Sequence, residues 1–208
     1  MLRLYDNHLS RNGYKIRLLL SHLGRAFEYV EVDITTGQSR VPAFLAKNPA
    51  GRIPVLELDD GTLLPESGAI LWHLAEGTAL LPADTLDRAQ TLRWMFFEQN
   101  LLEPNIGGVK MWAATGRDKA QPEAFAVKMA SARDGLAALD RHLTTHDWLA
   151  AGRLTIADIA TYGYVSESEH AGIPLAEFPA VAAWLARVAA QPRHVSHDWI
   201  GAGADSAA

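Results

Sequence analysis

Cysteine is absent from all 208 residues. That excludes disulfides, thiolate metal centres and a sulfur nucleophile belonging to the protein, so any thiol chemistry must use a sulfur that a ligand brings. No apolar run approaches the ~20 residues a membrane-spanning helix needs, so no membrane partner is expected. Excess positive charge is lacking too. Lys and Arg number 19 against 24 Asp and Glu, a net charge of −5 with no basic cluster, and a nucleic-acid partner is not expected. The opening Met1-Leu2-Arg3-Leu4-Tyr5-Asp6 has neither an apolar h-region nor a cleavage site. It is read as lacking a signal peptide, and the cytoplasm is the expected location. There is no phosphate loop and no dinucleotide fingerprint. Glu66-Ser67-Gly68 lacks the first glycine of a nucleophile elbow. His142 and His146 are spaced i, i+4, but no Glu follows His142 and no third ligand stands nearby. They read as a solvated face, and no metal is expected.

What is present is ordinary globular composition, 49% hydrophobic and 21% charged, in a length that can bury one large core or two small ones. Leu2 to Tyr5 has a strand signal, and a loop runs from Asp6 to Asn12. Ile16, Leu19, Leu20 and Leu23 follow the i, i+3, i+4, i+7 spacing of a helix with one buried face, which Gly24 ends. Phe27 to Val32 has strand composition, residues 33–41 are loop-like, and a brief helix is expected at Pro42–Lys47. Asp60-Gly61 joins two antiparallel strands, and Ser67 to Glu76 is helical. After a connector at Gly77–Asp84 the pattern is helical only. Residues 85–114 read as one long stretch kinked at Pro104 and Gly107-Gly108. On it Trp94, Met95, Phe96, Phe97 and Trp112 read mostly as core. Phe125, Met129, Ala132, Leu136, Leu139 and Leu143 form a bundle-type stripe, as do Val181, Trp184, Leu185 and Val188. Thr155-Ile156-Ala157-Asp158 is a capping box, so Asp158 is expected to be structural. Gly201 to Ala208 reads as a small, polar, mobile tail.

The most informative stretch is Asn48 to Ser67. Ile53-Pro54 puts a proline where the chain enters a strand, and residue 54 cannot donate to a ladder. In the cis form the bend leaves the main chain of Ile53 able to pair with an extended ligand. Pro65-Glu66-Ser67 then brings a carboxylate, a hydroxyl and unpaired N–H groups to a helix start, where a ligand carboxylate is favoured. An edge for peptide backbone beside a site for an amino-acid head points to a small peptide ligand.

These elements resemble the glutathione-binding half of a cytosolic glutathione transferase, and the likeness runs through the whole chain. The resemblance implies an α+β two-domain protein. Residues 1–78 form a thioredoxin-like glutathione-binding domain, and residues 85–208 an all-helical bundle domain with a pocket for a small hydrophobic electrophile. It also implies a homodimer, with glutathione as co-substrate. Ser10-Arg11-Asn12-Gly13-Tyr14 is similar to bacterial members of the Ser/Asn type, in which a hydroxyl and an Asn two residues later face the thiol. A free thiol has a pKa of about 8.5 and needs help to ionise. A hydroxyl at a helix N-terminus supplies it, although Ser10 or Asn12 is equally suited to capping that helix. Tyr5 is a rival thiol partner, because some classes use a tyrosine at the end of the first strand. Glu66 suits the γ-glutamyl ammonium and Ser67 the adjacent carboxylate. Ile53, followed by Pro54, would pair with the cysteinyl backbone, and Arg52, Gln38 and Arg40 are candidates for the glycyl carboxylate. The activity implied is conjugation of glutathione to electrophiles. Glutathione-dependent reduction of disulfides or peroxides, and non-catalytic ligand binding, are the alternatives.

Overall fold

A computed structural model describes residues 1–201, so the expected tail beyond Gly201 lies outside the described residues. The chain divides into two compact units. One is Met1–Glu76 together with Pro192 onward, and the other is Gly77–Gln191.

The first unit is built on a four-stranded sheet in the order β2-β1-β3-β4. Strand β1 (Leu2–Asp6) runs parallel to β2 (Phe27–Glu31) and antiparallel to β3 (Val55–Glu57), which pairs antiparallel with β4 (Leu63–Pro65). Helix α1 (Arg11–Leu23) makes the crossover between the two parallel strands, and Gly24 stops it in the left-handed conformation, φ 63°. The short α2 (Pro42–Leu45) and α3 (Ser67–Ala75) complete the β-α-β-α-β-β-α order of a thioredoxin-like domain. A turn of 3-10 helix at Gln38–Arg40 lies within the stretch expected to be loop, and α2 ends before Lys47. Ile53-Pro54 is cis.

Helix α1 buries more than the one face its periodicity predicts: every residue from Gly13 to Leu20 is buried, including Tyr14, Lys15 and Arg17. Packing closes over the polar side of the helix as well as the apolar side. Buried cations need partners, and those partners define the candidate site.

The second unit is helical. Helix α4 (Thr85–Phe97) passes into a π-helical segment at Glu98–Gly107 and then into α5 (Gly108–Thr115). The expected kink is therefore a ten-residue widening of the helix around Pro104. Pro104 supplies no N–H to a regular ladder, and a wider turn accommodates that gap. Inside it Leu102 and Ile106 are fully buried. Lys128 donates to the Pro104 carbonyl at 2.8 Å. After the single turn α6 (Arg117–Ala120) come α7 (Pro122–Leu143), α8 (Ile156–Val165) and α9 (Pro179–Ala189). Trp94, Met95 and Trp112 are core, but Phe96 is 58% exposed. His146 is exposed as expected, but His142 is half-buried. Its ring stacks on His146 at 4.2 Å and leans on Trp94 at 4.7 Å.

Asp158 organises this unit. Its carboxylate is fully buried and accepts from the Thr155 N–H and hydroxyl, from Leu149 N–H and from the Trp184 indole. Burial raises its pKa to about 6 against those donors. Asp158→Ala would strand the Leu149, Thr155 and Trp184 donors in the core, each worth ~1–3 kcal/mol when left unmet. The variant is expected to lose on the order of 3 kcal/mol or more of stability in urea denaturation. A loss below about 1 kcal/mol would contradict the role.

Candidate active site

The site is assembled from three pieces of the first unit: the loop between β1 and α1, the strand entry at Ile53, and the start of α3. Residues 7–10 are pinned from β2. Glu31 accepts from the Asn7 amide at 2.6 Å and from His8 N–H at 3.2 Å. Ser10 N–H then donates to the Asn7 carbonyl at 2.8 Å. Ser10 is the N-cap of α1, and its hydroxyl oxygen accepts from Gly13 N–H at 3.1 Å. Capping uses an acceptor position of that oxygen, not its hydrogen. Capping and donation to a ligand sulfur are therefore compatible.

Asn12 is brought to Ser67 across 55 positions of sequence. The Ser67 hydroxyl donates to Asn12 Oδ1 at 3.3 Å, and Lys15 Nζ donates to the same oxygen at 2.7 Å. With its carbonyl taking both donors, the Asn12 amide turns its nitrogen away from them. Lys15, 1% exposed, places a buried positive charge beside this meeting point. The residue went unnoticed in the sequence. A Lys set directly between Tyr14 and Ile16 was the available signal.

At the strand entry, among the described residues no hydrogen bond engages the main chain of Ile53. Asn48, 4% exposed, shapes the turn in front of it by donating to Arg52 O at 2.8 Å and accepting from Ala50 N–H at 3.0 Å. Glu66, the N-cap of α3, has φ 70° and ψ 113° and is exposed. A non-glycine residue in this region costs on the order of 1–3 kcal/mol, and such residues concentrate at ligand sites. It leaves the Ser67 end of α3, with its unpaired helical N–H groups, beside the carboxylate of Glu66.

The remaining sequence candidates separate. The Tyr5 phenol donates to Glu57 at 2.6 Å, and this bond helps hold Glu57 below the usual carboxylate range. Its ring belongs to a core cluster with Val32, Phe44 and Val55. Its proton is thus committed inside the sheet. Arg40 reaches the turn ahead of Arg52, donating to Ala50 O at 3.0 Å, while the Arg52 side chain is exposed. Gln38 uses its side-chain carbonyl on Asp33 N–H at 2.9 Å, closing its own loop. Among the described residues no group of three or more His, Asp and Glu is placed to hold a metal.

Under the first turn of α1 lies a feature the sequence reading missed. Asp6 is fully buried at the end of β1, its carboxylate face-on to Gly13. A Cβ at position 13 would fall 1.8 Å from both oxygens. Arg17 is in contact with Asp6, with Nε 3.3 Å from Oδ2. Neither oxygen makes a well-aligned hydrogen bond. Burial pushes its pKa up to about 7, with Arg17 the strongest opposing influence and Glu31 adding to the rise.

Family models corroborate this architecture. Residues 1–76 match the glutathione S-transferase N-terminal domain, and residues 103–192 match its C-terminal domain. The chain belongs to the glutathione S-transferase family. It is 34% identical over 206 residues to glutathione S-transferase 3 of Zea mays, covering 92% of this chain and 90% of that one. It is 32% identical over 188 residues to the disulfide-bond oxidoreductase YfcG of Escherichia coli, covering 87% of each. A possible glutathione S-transferase from Rhodopseudomonas palustris superposes with a TM-score of 0.92 at 46% identity, over 99% of this chain and 94% of that one. A glutathione transferase family member from Pseudomonas fluorescens, solved with two glutathione bound, superposes at 0.82 with 29% identity over 92% and 89%.

The Asp6 carboxyl gives this transferase fold a testable pH response. The folded pKa lies above the unfolded value, so between about pH 4 and pH 7 the native state binds the extra proton and rising pH costs stability. In urea denaturation from pH 4.5 to 7.5, the wild-type advantage over Asp6→Asn is expected to shrink as pH rises. An advantage that widens would mean that Arg17 keeps the carboxylate ionised throughout.

Proposed function

We propose that the protein conjugates the thiolate of glutathione to small hydrophobic electrophiles. The observation that carries the reading is the contact of Ser67 with Asn12 in the turn that Ser10 caps, together with an unpaired main chain at Ile53 just ahead of β3, whose Val55 pairs with Pro65 two residues before Ser67. Glutathione is a γ-linked tripeptide with one thiol, two carboxylates and one ammonium. Its cysteinyl backbone pairs with Ile53 where Pro54 breaks the ladder. Its γ-glutamyl ammonium goes to Glu66, and the adjoining carboxylate to Ser67 and the N–H groups opening α3. Arg40 and Arg52 supply cations for the glycyl carboxylate, with Gln38 at the margin. The sulfur then faces the Ser10 hydroxyl at the start of α1, and Asn12 is the second donor. Helix dipole, hydroxyl and the buried charge of Lys15 all favour thiolate over thiol. Each pKa unit of depression is worth about 1.4 kcal/mol.

The proposed assembly is a homodimer. Leu92 and Phe96, one turn apart on α4 and 37% and 58% exposed, offer an apolar face for a second copy.

A second reading is favoured by the likeness to the Escherichia coli disulfide-bond oxidoreductase. A chain without cysteine would reduce a disulfide by using two glutathione molecules in turn. Turnover of 2-hydroxyethyl disulfide against 1-chloro-2,4-dinitrobenzene separates the two activities. For either, Ser10→Ala is expected to lower kcat on the order of 10²-fold, as loss of a preorganised donor does, while glutathione affinity changes little. Unchanged kcat with both substrates would remove Ser10 from the chemistry.

A further inference from the structure

Seven residues beyond Ser10, Arg17 is completely buried, and its guanidinium is almost wholly committed to carbonyl oxygens. Nη1 donates to His197 O at 2.7 Å and Trp199 O at 2.8 Å. Nη2 donates to His8 O at 3.1 Å and Ser10 O at 3.4 Å. Each of the four terminal N–H groups thus finds a carbonyl, and Nε faces Asp6. One planar cation therefore bridges the end of β1, the loop that carries Ser10, and a segment nearly two hundred residues away.

That segment is held by more of α1 than Arg17. The Tyr14 phenol donates to Val195 O at 2.9 Å, and the Ser21 hydroxyl to Arg193 O at 2.8 Å. Positions 14, 17 and 21 lie on one face of the helix. Their acceptors at 193, 195, 197 and 199 are alternate carbonyls of one segment, which turns between Ser196 and Trp199, where the Trp199 N–H donates to Ser196 O at 3.1 Å. Rings close both sides. Tyr14 meets His197 at 5.1 Å, and Phe27 meets Trp199 edge-on at 5.8 Å.

We propose that Arg17 is a positioning residue for Ser10, and that the segment 193–199 is the anchor against which it works. The inference rests on the reading that Ser10 faces the glutathione thiol. The carbonyls of His8 and Ser10 flank the cap of α1, and a guanidinium fixed on its far side by Trp199 and His197 limits where they can stand. A lysine cannot substitute, because an ammonium has three donors, no fork and no planar reach to both sets of carbonyls. Asp6 balances the buried charge without competing for those carbonyls.

The test is a double-mutant cycle in the full chain, with kcat and KM for glutathione measured in the wild type, Arg17→Lys, Ser10→Ala and the double variant. Misplacement of the hydroxyl by a fraction of an ångström is expected to lower kcat on the order of 10- to 100-fold in Arg17→Lys, with KM for glutathione within about twofold. In the Ser10→Ala background the same substitution should have almost no further effect, since Arg17 acts through the hydroxyl that is already gone. Tyr14→Phe removes the single bond to Val195 O and leaves the Arg17 bonds to His197 and Trp199 in place, so it should lower thermal stability while keeping kcat. If Arg17→Lys does not fold, the Asp6→Asn, Arg17→Gln pair, which leaves no lone buried charge, takes its place in the cycle. An Arg17→Lys loss equally large with and without Ser10, or no loss at all, overturns the proposal. Failure of the underlying reading is seen separately, as a Ser10→Ala enzyme with wild-type kcat.

Discussion

The first turn of α1 can stand in only one place, and the site depends on that. A buried carboxylate occupies the space where residue 13 would carry a side chain, so only glycine lets the helix settle onto the end of β1. Asp6 in turn requires a buried cation, and Arg17 supplies it one turn further on. Once these contacts are made, Ser10 has to cap the helix, and Asn12 has to meet Ser67. The ion pair is weak evidence for stability, because desolvation offsets much of its attraction. Its stronger consequence is geometric. It determines where the hydroxyl and the amide of the loop can be.

Around that fixed turn, the proposed ligand surface is made mainly of main chain. Ile53 has a backbone edge left open by the proline after it, and α3 begins at a residue held at positive φ. Such groups are already oriented before anything binds, and ordering them costs nothing at the moment of association. In the proposed site, side chains add charge of both signs: Glu66 for the head of the ligand, Arg40 and Arg52 for its other terminus. A peptide with two carboxylates and an ammonium matches that order. Tyr5, which resembled a rival from its place in the sequence, is used instead to tie β1 to β3 through Glu57.

Features set by a few neighbouring residues could be read directly. The proline at a strand entry, the Asp60-Gly61 hairpin, the Gly24 stop and the Thr155–Asp158 capping box are local devices, and each appears where its residues are. The order of strands and helices and the helical second half followed from local pattern, and the thioredoxin-like fold from the resemblance. Features that depend on tertiary packing were not legible. Periodicity marks the apolar face of α1 but says nothing of what covers Lys15 and Arg17, whose burial comes from α3 and from residues 193–199 returning along the helix. A segment with no periodic pattern of its own gave no sign that its carbonyls are wanted elsewhere. At Pro104 a kink was legible, whereas the ten-residue π-helical widening was not, because it takes neighbours such as Lys128 to satisfy the freed carbonyls. His146 is exposed as its sequence suggests, but His142 is half-buried, because nothing in the sequence placed Trp94 against it.

The central claim is that a tripeptide thiol lies with its backbone on Ile53 and its sulfur at the start of α1. Titration of reduced glutathione into the isotopically labelled protein, followed by amide NMR, tests it directly. Saturable shifts are expected at Ile53, at Ser67 and at the amides of residues 10–13, and the Ile53 shift should survive replacement of the ligand thiol by a methyl group while those near Ser10 change. If the amide of Ile53 stays unmoved at millimolar glutathione, the ligand does not lie there and the account fails.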